Sequence, residues 1–427
     1  MIDLDIIRSE PKRVEAAAQA KLVTINIRRI LELDTRHRAL QTEIDALRAK
    51  RNTLSIAEAK TAGPKLKEEL KELTETYQTI DQELLTLLKQ VPNLPSSDVP
   101  PGTSEDDNVV VKTVGDKPSF DFAPKNHWQL AEAHDLIDKE RAAKVAGARF
   151  AYLKGDLLKL HFALLHFAMA ILTDEKTLQH IAAEAGLKVS PKPFTLILPP
   201  LMIRTEPYDA MDRLEPREER YKIEGEELWL QGSAEHVLGS MHAGEIIPEE
   251  SLPLRYAGYA TSFRREAGSY GKDMEGIVRM HQFDKLEMES LTTAETSRSE
   301  HDFLIAIQEY LMRKLGLPYR VLLKCIADIG KPNARGVDID AWLPGQNRYR
   351  ETHTADYMTD YQARRLQTRV RRKTGALELV HTNDATALSQ RPLIAILENY
   401  QQADGSVKIP EVLQTYTGFA EIRANKS

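Results

Sequence analysis

The chain has 427 residues, with 58 Lys+Arg against 64 Asp+Glu and a formal net charge of −6. That length exceeds one ordinary core and divides into about two or three domains, while 42% hydrophobic residues exclude a disordered chain. The single cysteine, Cys325, excludes an internal disulfide framework and a Cys-cluster zinc site and fits a reducing compartment, most simply the cytoplasm; the acidic balance excludes a uniformly cationic nucleic-acid coat, but not a regional basic surface.

Residues 1–20 read as a short helix, with Ser9-Glu10-Pro11 as a start signal and Pro11 in a first turn. Asp3, Asp5 and Glu10 replace the basic-then-apolar order of a signal peptide. The strongest periodicity follows. Leu33, His37, Leu40, Ile44, Leu47, Arg51 and Leu54 alternate spacings of four and three, and after Ala62-Gly63-Pro64 a second series runs through Leu66, Leu70, Leu73, Tyr77, Ile80, Leu84, Leu87 and Val91. Both are heptad seams. The Gly-Pro break predicts two helices folded back as an antiparallel coiled-coil hairpin over about 28–91. Its first helix, from about 28 to 58, would be roughly 45 Å long and should project. His37 and Arg51 read as register-setting or snorkelling positions within the seam.

From Pro92 to Pro124 the composition changes. Pro92, Pro95, Pro100, Pro101, Gly102 and the acidic run Glu105-Asp106-Asp107 mark a linker. We therefore set an N-terminal domain at 1–100, a linker at 101–124 and a larger domain at 125–427. In the larger domain the longest apolar stretch, Leu157 to Leu172, is interrupted by Lys159, His161 and His166, so no transmembrane helix is expected. His161 and His166 lie five apart on an apolar helix and read as core or interface histidines rather than metal ligands. Strand candidates are Phe194 to Leu198, Leu228 to Leu230, Tyr256 to Arg264, Ile277 to Phe283 and Val337 to Leu343; Glu300 to Leu315 and Leu393 to Tyr400 are amphipathic helices. Strands close in sequence without helical crossovers predict an α+β domain, an antiparallel sheet with helices on its faces.

Gly268-Ser269-Tyr270-Gly271-Lys272 suggests a phosphate loop, but its glycine spacing is wrong and Asp273 stands where Ser or Thr is needed. No nucleophile–His–acid arrangement is evident. The densest chemistry runs from Phe263-Arg264-Arg265-Glu266 through Asp273 and from Ile277 through Arg279, His281, Phe283, Lys285 and Glu287. It reads as strand, long polar loop, strand. Arg264 and Glu266 would share one face, as would Arg279, His281, Phe283, Lys285 and Glu287. Such a face suits phosphate chemistry: arginine clamps phosphate oxygens with parallel donors, an aromatic ring stacks on a base, and a carboxylate holds ammonium or magnesium.

This block closely resembles motif 2 of class II aminoacyl-tRNA synthetases, and among them the seryl-tRNA synthetase family; the resemblance covers nearly the whole chain. Met1-Ile2-Asp3-Leu4 and the Leu33 to Asn52 helix look like the family's N-terminal arm. Pro200 looks like the motif 1 proline of a homodimer interface, Tyr221 to Glu235 like the substrate loop, and Ile394 to Gln401 like motif 3. The resemblance implies a class II antiparallel core, ATP and Mg2+ use, L-serine and tRNA(Ser) as substrates, with tRNA(Sec) where it exists, and catalytic roles for Arg264 and Arg391. By the same resemblance Arg264, Arg265, Glu266, Phe283, Glu351, Thr352, His353, Thr354 and Arg391 bind ATP. Glu351 and Thr354 bind magnesium. Ser233, Ala234, Glu235, Arg264, Glu287, Asn383 and Thr386 bind serine.

Three places depart from the family pattern. Ser233-Ala234-Glu235 replaces Thr-Ala-Glu, which removes a methyl that would help exclude threonine. Thr352-His353-Thr354-Ala355-Asp356 replaces Ser-Ser-Cys-Ser. The stretch His381 to Arg391 is one residue short, so alignment from His381 puts Thr386 at the serine-contacting hydroxyl, while alignment back from Arg391 puts Ala385 there; the chemistry favours Thr386. The resemblance further implies that the hairpin meets the long variable arm of tRNA. On its first helix Arg28, Arg29, Arg36, Arg38, Arg48, Lys50 and Arg51 outnumber Glu32, Asp34, Glu43 and Asp45. Two other readings stand beside this one: a paralogue that activates another amino acid or loads a carrier protein, and an inactive RNA-binding relative.

Overall fold

The computed structural model describes residues 1–267 and 276–423, and the chain forms two compact units, Met1–Pro95 and Ser96–Ser427. The segment predicted as a phosphate-loop mimic, Gly268 to Asp273, lies outside the described residues.

In the first unit the expected opening helix is two: α1 (Leu4–Ser9), capped by the Asp3 side chain, and α2 (Pro11–Ala20), with Pro11 in its first turn. Helix α3 (Ile27–Asn52) pairs with α5 (Gly63–Leu88), with a one-and-a-half-turn helix α4 (Ile56–Thr61) between them. The first arm helix thus ends at Asn52, short of the expected 58, and spans about 39 Å. Gly63 and Pro64 do not form the break; they make the first turn of α5, where a missing N–H and a fixed φ cost nothing. The pairing is antiparallel: Arg29 reaches Glu83 at 2.7 Å, and His37 reaches Asp81 at 3.0 Å and stacks on Tyr77 with ring centroids 4.3 Å apart. Ile30, Leu33 and Ile44 are buried against Leu66, Leu70, Ile80 and Leu84 at seam spacing.

In the second unit, eight strands among the described residues form one sheet: β1 (Val109–Val114), β2 (Thr195–Ile197), β3 (Leu254–Phe263), β4 (Gln282–Thr292), β5 (Tyr319–Leu323), β6 (Arg335–Leu343), β7 (Arg348–Thr359) and β8 (His381–Ser389). Their spatial order is β1-β5-β6-β7-β8-β4-β3-β2, antiparallel except for β2 against β3. The span expected as a linker over 101–124 instead supplies β1, an edge strand, because Val109, Val110 and Val111 belong to a β-branched run that pairs with β5.

Strand alternation divides the sheet chemically. One face carries Leu286, Met288, Val337, Ile339, Ala355 and Ala385 into a core with helices α6 (Gly155–Thr173), α7 (Ala294–Lys314) and α8 (Arg391–Asn399). Helix α6 is long and apolar enough to cross a membrane by length and composition; here Leu157, Leu160 and Leu164 are buried in the core, and His161 is buried on Asp284 at 3.0 Å. The opposite face carries Lys285, Glu287, Asp338, Thr354, Asp356, Asp384 and Thr386 and holds the site.

Candidate active site

Strands β3 and β4 pair in register from Leu254 opposite Leu291 to Phe263 opposite Gln282. Just beyond, the Arg264 N–H donates to the His281 carbonyl at 2.9 Å and the His281 ring meets the Arg264 carbonyl at 2.9 Å. The expected strand over Ile277 to Phe283 therefore begins only at Gln282, and Arg279 and His281 are not on its face. The turn before it packs on a distant residue: Gly276 has φ +68°, and a Cβ there would collide with the His127 ring. Glu266 likewise sits at φ +53°, in a left-handed turn rather than on the strand face with Arg264. The turns still converge the side chains, since Arg279 donates to Glu266 at 2.7 Å.

Two β-bulges aim the remaining residues. In β7 the register passes from Ile339 opposite His353 to Asp340 opposite Glu351, leaving Thr352 as the extra residue. Without it Glu351 would point with His353 and Ala355 into the helix layer. With it Glu351, Thr352 and Thr354 line the cavity. His353, expected at ATP, is buried on the opposite face, where its ring takes the Thr352 hydroxyl at 2.8 Å and burial pushes it down to about 4. In β8 Ala387 is the extra residue, which lets Thr386 and Ser389 both face the cavity. Thr386 stands opposite Glu287 in register; Ala385 is buried in the core. Asn383, expected at serine, points to the helix layer and donates to Ser297 at 3.3 Å.

The cavity has two adjoining chambers, of about 510 and 260 Å3, that share Arg264, Glu266, Arg279, Lys285, Glu351 and Thr354. In the smaller one Arg264 lies over Phe283, 5.2 Å from the ring centroid, with Nε donating to the Gly232 carbonyl at 3.0 Å. Arg391, at the first position of α8, meets the Glu351 carboxylate at 3.0 Å. The Glu351 side chain is half exposed, and Arg391 with Lys324 holds its carboxyl below the usual carboxylate range. Arg265 is exposed beside Tyr221 and stands outside the cavity wall.

At the buried floor of the site Ser233 and Glu287 are fully buried. Ala234 packs with Leu238 and Ala260 in an apolar cluster, so it supports the loop without facing the cavity. Glu235 accepts from Arg213 at 2.5 Å; burial opposes its charge, and Arg213 outweighs burial to hold it below the usual range. Carboxylate oxygens of Glu235, Glu287 and Asp384 lie within 4.8 Å of one another. Burial pushes Glu287 up to about 7 against the pull of Lys285, and burial together with Glu235 raises Asp384. Sequence reasoning passed over Arg213, Lys285 and Lys324. Lys285 was on the expected strand face without a role, while Arg213 and Lys324 lie in irregular segments with no periodicity to mark them.

Pro200 is exposed just after the edge strand β2, beside Leu198 at 79% and Leu201 at 40% exposure. On α3 all seven basic residues are exposed. Arg29, Arg38 and Arg48 are engaged by Glu83, Asp34 and Asp45, whereas Arg28, Arg36, Lys50 and Arg51 have no ion-pair partner among the described residues.

An antiparallel sheet whose polar face gathers arginines and carboxylates around a bulged, two-chambered cavity is the core of a class II aminoacyl-tRNA synthetase. Residues 219–400 match the family model of the tRNA synthetase class II core domain (G, H, P, S and T). Residues 1–95 match the seryl-tRNA synthetase N-terminal domain. The chain is 39% identical over 442 residues to the serine–tRNA ligase of Dictyoglomus turgidum, with 100% of both chains covered. Against that of Thermotoga neapolitana it is 39% identical, with 99% of this chain and 100% of the other covered. A seryl-tRNA synthetase from Pyrococcus horikoshii, solved complexed with ATP, superposes with a TM-score of 0.88 at 34% identity over 100% of both chains. The chain belongs to the seryl-tRNA synthetase family.

Proposed function

We propose that this chain activates L-serine with ATP and transfers the seryl group to tRNA(Ser). In the first step a serine carboxylate oxygen attacks the α-phosphorus, the bond to pyrophosphate breaks, and seryl-adenylate forms. In the second, the terminal ribose hydroxyl of tRNA attacks the adenylate carbonyl and AMP leaves. The observation that carries this reading is the shared wall of the two chambers, which gathers Arg264, Glu266, Lys285, Glu351 and Thr354, with Arg391 lining the smaller chamber and the buried Glu287 paired to Lys285. Arg264 would hold the α-phosphate and the serine carboxylate, Glu266 and Phe283 the adenine, Arg391 the γ-phosphate, and Glu287 the serine ammonium, with Thr386 and Ser233 offering hydroxyls. Catalysis then comes from positioning and charge stabilisation, and no protein group must carry a proton.

Magnesium fits the same wall. Glu351, held ionised, and the Thr354 hydroxyl offer the oxygen donors a hard cation prefers, and Glu351 and Thr354 would hold the ion. Bound there, it supplies charge neutralisation to the phosphate oxygens. Pro200 and the apolar rim Leu198, Leu201 and Met202 suit a homodimer interface, and ATP and tRNA as substrates suit a cytoplasmic protein.

The experiment that tests the reading is ATP–pyrophosphate exchange with serine, threonine and alanine. Serine should support exchange and alanine should not, because the Thr386 and Ser233 hydroxyls would be left unpaired without the substrate hydroxyl. Threonine is the sharper competitor, since Ser233 lacks a methyl. The pH profile follows from Glu287. Its carboxyl is ionised above about 7 and neutral below it, and only the ionised form pairs with an ammonium. The kcat/KM for serine should therefore fall about tenfold per unit as pH drops below that value, and a profile flat down to pH 5 would exclude this role.

The arm is assigned to the long variable arm of tRNA through its unpaired cations. Changing Arg28, Arg36 and Arg51 together to Ala should weaken tRNA binding about tenfold at low salt and flatten the salt dependence by about two to three phosphate contacts. Exchange without tRNA should not change. Binding isotherms across a salt series measure this, and an unchanged slope would place tRNA elsewhere.

A further inference from the structure

The carboxylate that the proposed function reserves for the serine ammonium already holds an ammonium. Lys285, two residues before Glu287 on the same face of β4, places Nζ 2.5 Å from Glu287 Oε2 and 3.3 Å from Ser233 Oγ. Both partners belong to the proposed serine pocket. Lys285 is only 6% exposed, yet it lines both chambers, so its ammonium stands where the amino-acid end meets the phosphate end. Neither Glu287 oxygen has a well-directed hydrogen bond among the described residues, so Lys285 meets Oε2 as an ion pair and Oε1 has no partner.

An ionised carboxylate in so closed a position must be paired or protonated. Serine would bring an ammonium of the same charge and donor capacity, and it would compete with Lys285 for Glu287 Oε2. A lysine is suited to give way: its charge is a compact point on a flexible four-carbon stem, unlike the rigid fork of arginine. The wall it shares with Arg264 supplies the place to which it can turn.

We propose that Lys285 is a stand-in for the substrate: its ammonium occupies the place of the serine ammonium on Glu287, is displaced when serine binds, and then turns to the serine carboxylate and the α-phosphate as a second catalytic cation beside Arg264. The exchange keeps Glu287 paired throughout, so no isolated buried charge is created. It also brings the extra cation to the reacting phosphate only when serine is present. Lys285 transfers no proton; bond making and breaking remain as stated for serine activation. The inference rests on that reading of the site.

The test is serine-dependent ATP–pyrophosphate exchange at pH 8.5, with serine and ATP varied separately, for wild type, Lys285→Met and Lys285→Arg. Lys285→Met should lower kcat about a hundredfold while the serine KM, followed up in pH to its alkaline limit where Glu287 is ionised, stays at or below the wild-type value, because no ammonium need be displaced. Lys285→Arg should recover kcat to within about tenfold of wild type, since a charge that can reach the phosphate is retained. An alkaline-limit serine KM raised about tenfold or more in Lys285→Met, or a kcat within about threefold of wild type, overturns the proposal and makes Lys285 a fixed part of the pocket wall. Should Lys285→Met fail to fold, Lys285→Arg decides: kcat within about tenfold at an unchanged serine KM supports the proposal, and a kcat loss as deep as that of Lys285→Met is expected to be overturns it. A wild-type chain with no serine-dependent exchange would instead remove the serine reading and this inference with it.

Discussion

Replacing Arg264 with Ala is expected to lower serine-dependent ATP–pyrophosphate exchange about a thousandfold. Its guanidinium lies in the wall common to both chambers. Nε is anchored on the Gly232 carbonyl at 3.0 Å, which fixes the plane of the fork and turns the two terminal nitrogens toward the cavity. The Phe283 ring beneath it, 5.2 Å from centroid to guanidinium carbon, holds that plane from below. A group held this way pays little reorganisation when charge builds on the α-phosphate, so its loss should appear in kcat more than in either KM. Arg264→Lys should remain about a hundredfold down, because a point charge does not reproduce two parallel donors. Initial rates of exchange with each substrate varied in turn measure both variants. Near-normal exchange in Arg264→Ala would remove this residue from the reaction.

Glu287→Gln is expected to raise the serine KM by about a hundredfold or more while leaving the ATP KM within about threefold. The carboxylate is fully buried opposite Thr386. Losing one partner of a buried charge pair costs about 3–5 kcal/mol, which is about two to nearly four decades in affinity. Glutamine keeps the shape and loses the charge, so the effect should be confined to the amino-acid end. Exchange kinetics with serine varied at saturating ATP measure it. A variant that loses ATP and serine affinity together would point to a collapsed site instead of a lost ammonium contact.

The arm was the most legible part of the sequence, because heptad spacing reports directly which residues are buried: Leu33, Ile44, Leu66, Leu70, Ile80 and Leu84 lie in the seam. Its turn was less legible. Gly63-Pro64 signals a helix start as well as a break, and here it is the start. In the sheet, alternation correctly placed Lys285 and Glu287 together, but it fails at every irregularity. The extra residues Thr352 and Ala387 reverse the side of everything after them. That is how Glu351 comes to share the cavity side with Thr354, and Ser389 with Thr386, while His353 and Asn383, read as ligands, fall on the helix side by plain alternation. Arg279 was misplaced on a strand because its turn depends on His127, some 150 residues away in sequence. The same holds for the pairing of Arg213 with Glu235, a contact made only by the folded chain.

The most direct measurement of the central claim is aminoacylation: purified chain, ATP, magnesium, radiolabelled serine and total tRNA, with Arg264→Ala as the control. The expected result is serine attached to tRNA at a rate that collapses in the variant. Exchange without any charging would contradict the account in favour of a paralogue that activates its amino acid for another acceptor. Neither exchange nor charging, with tRNA still bound, would leave an inactive RNA-binding relative.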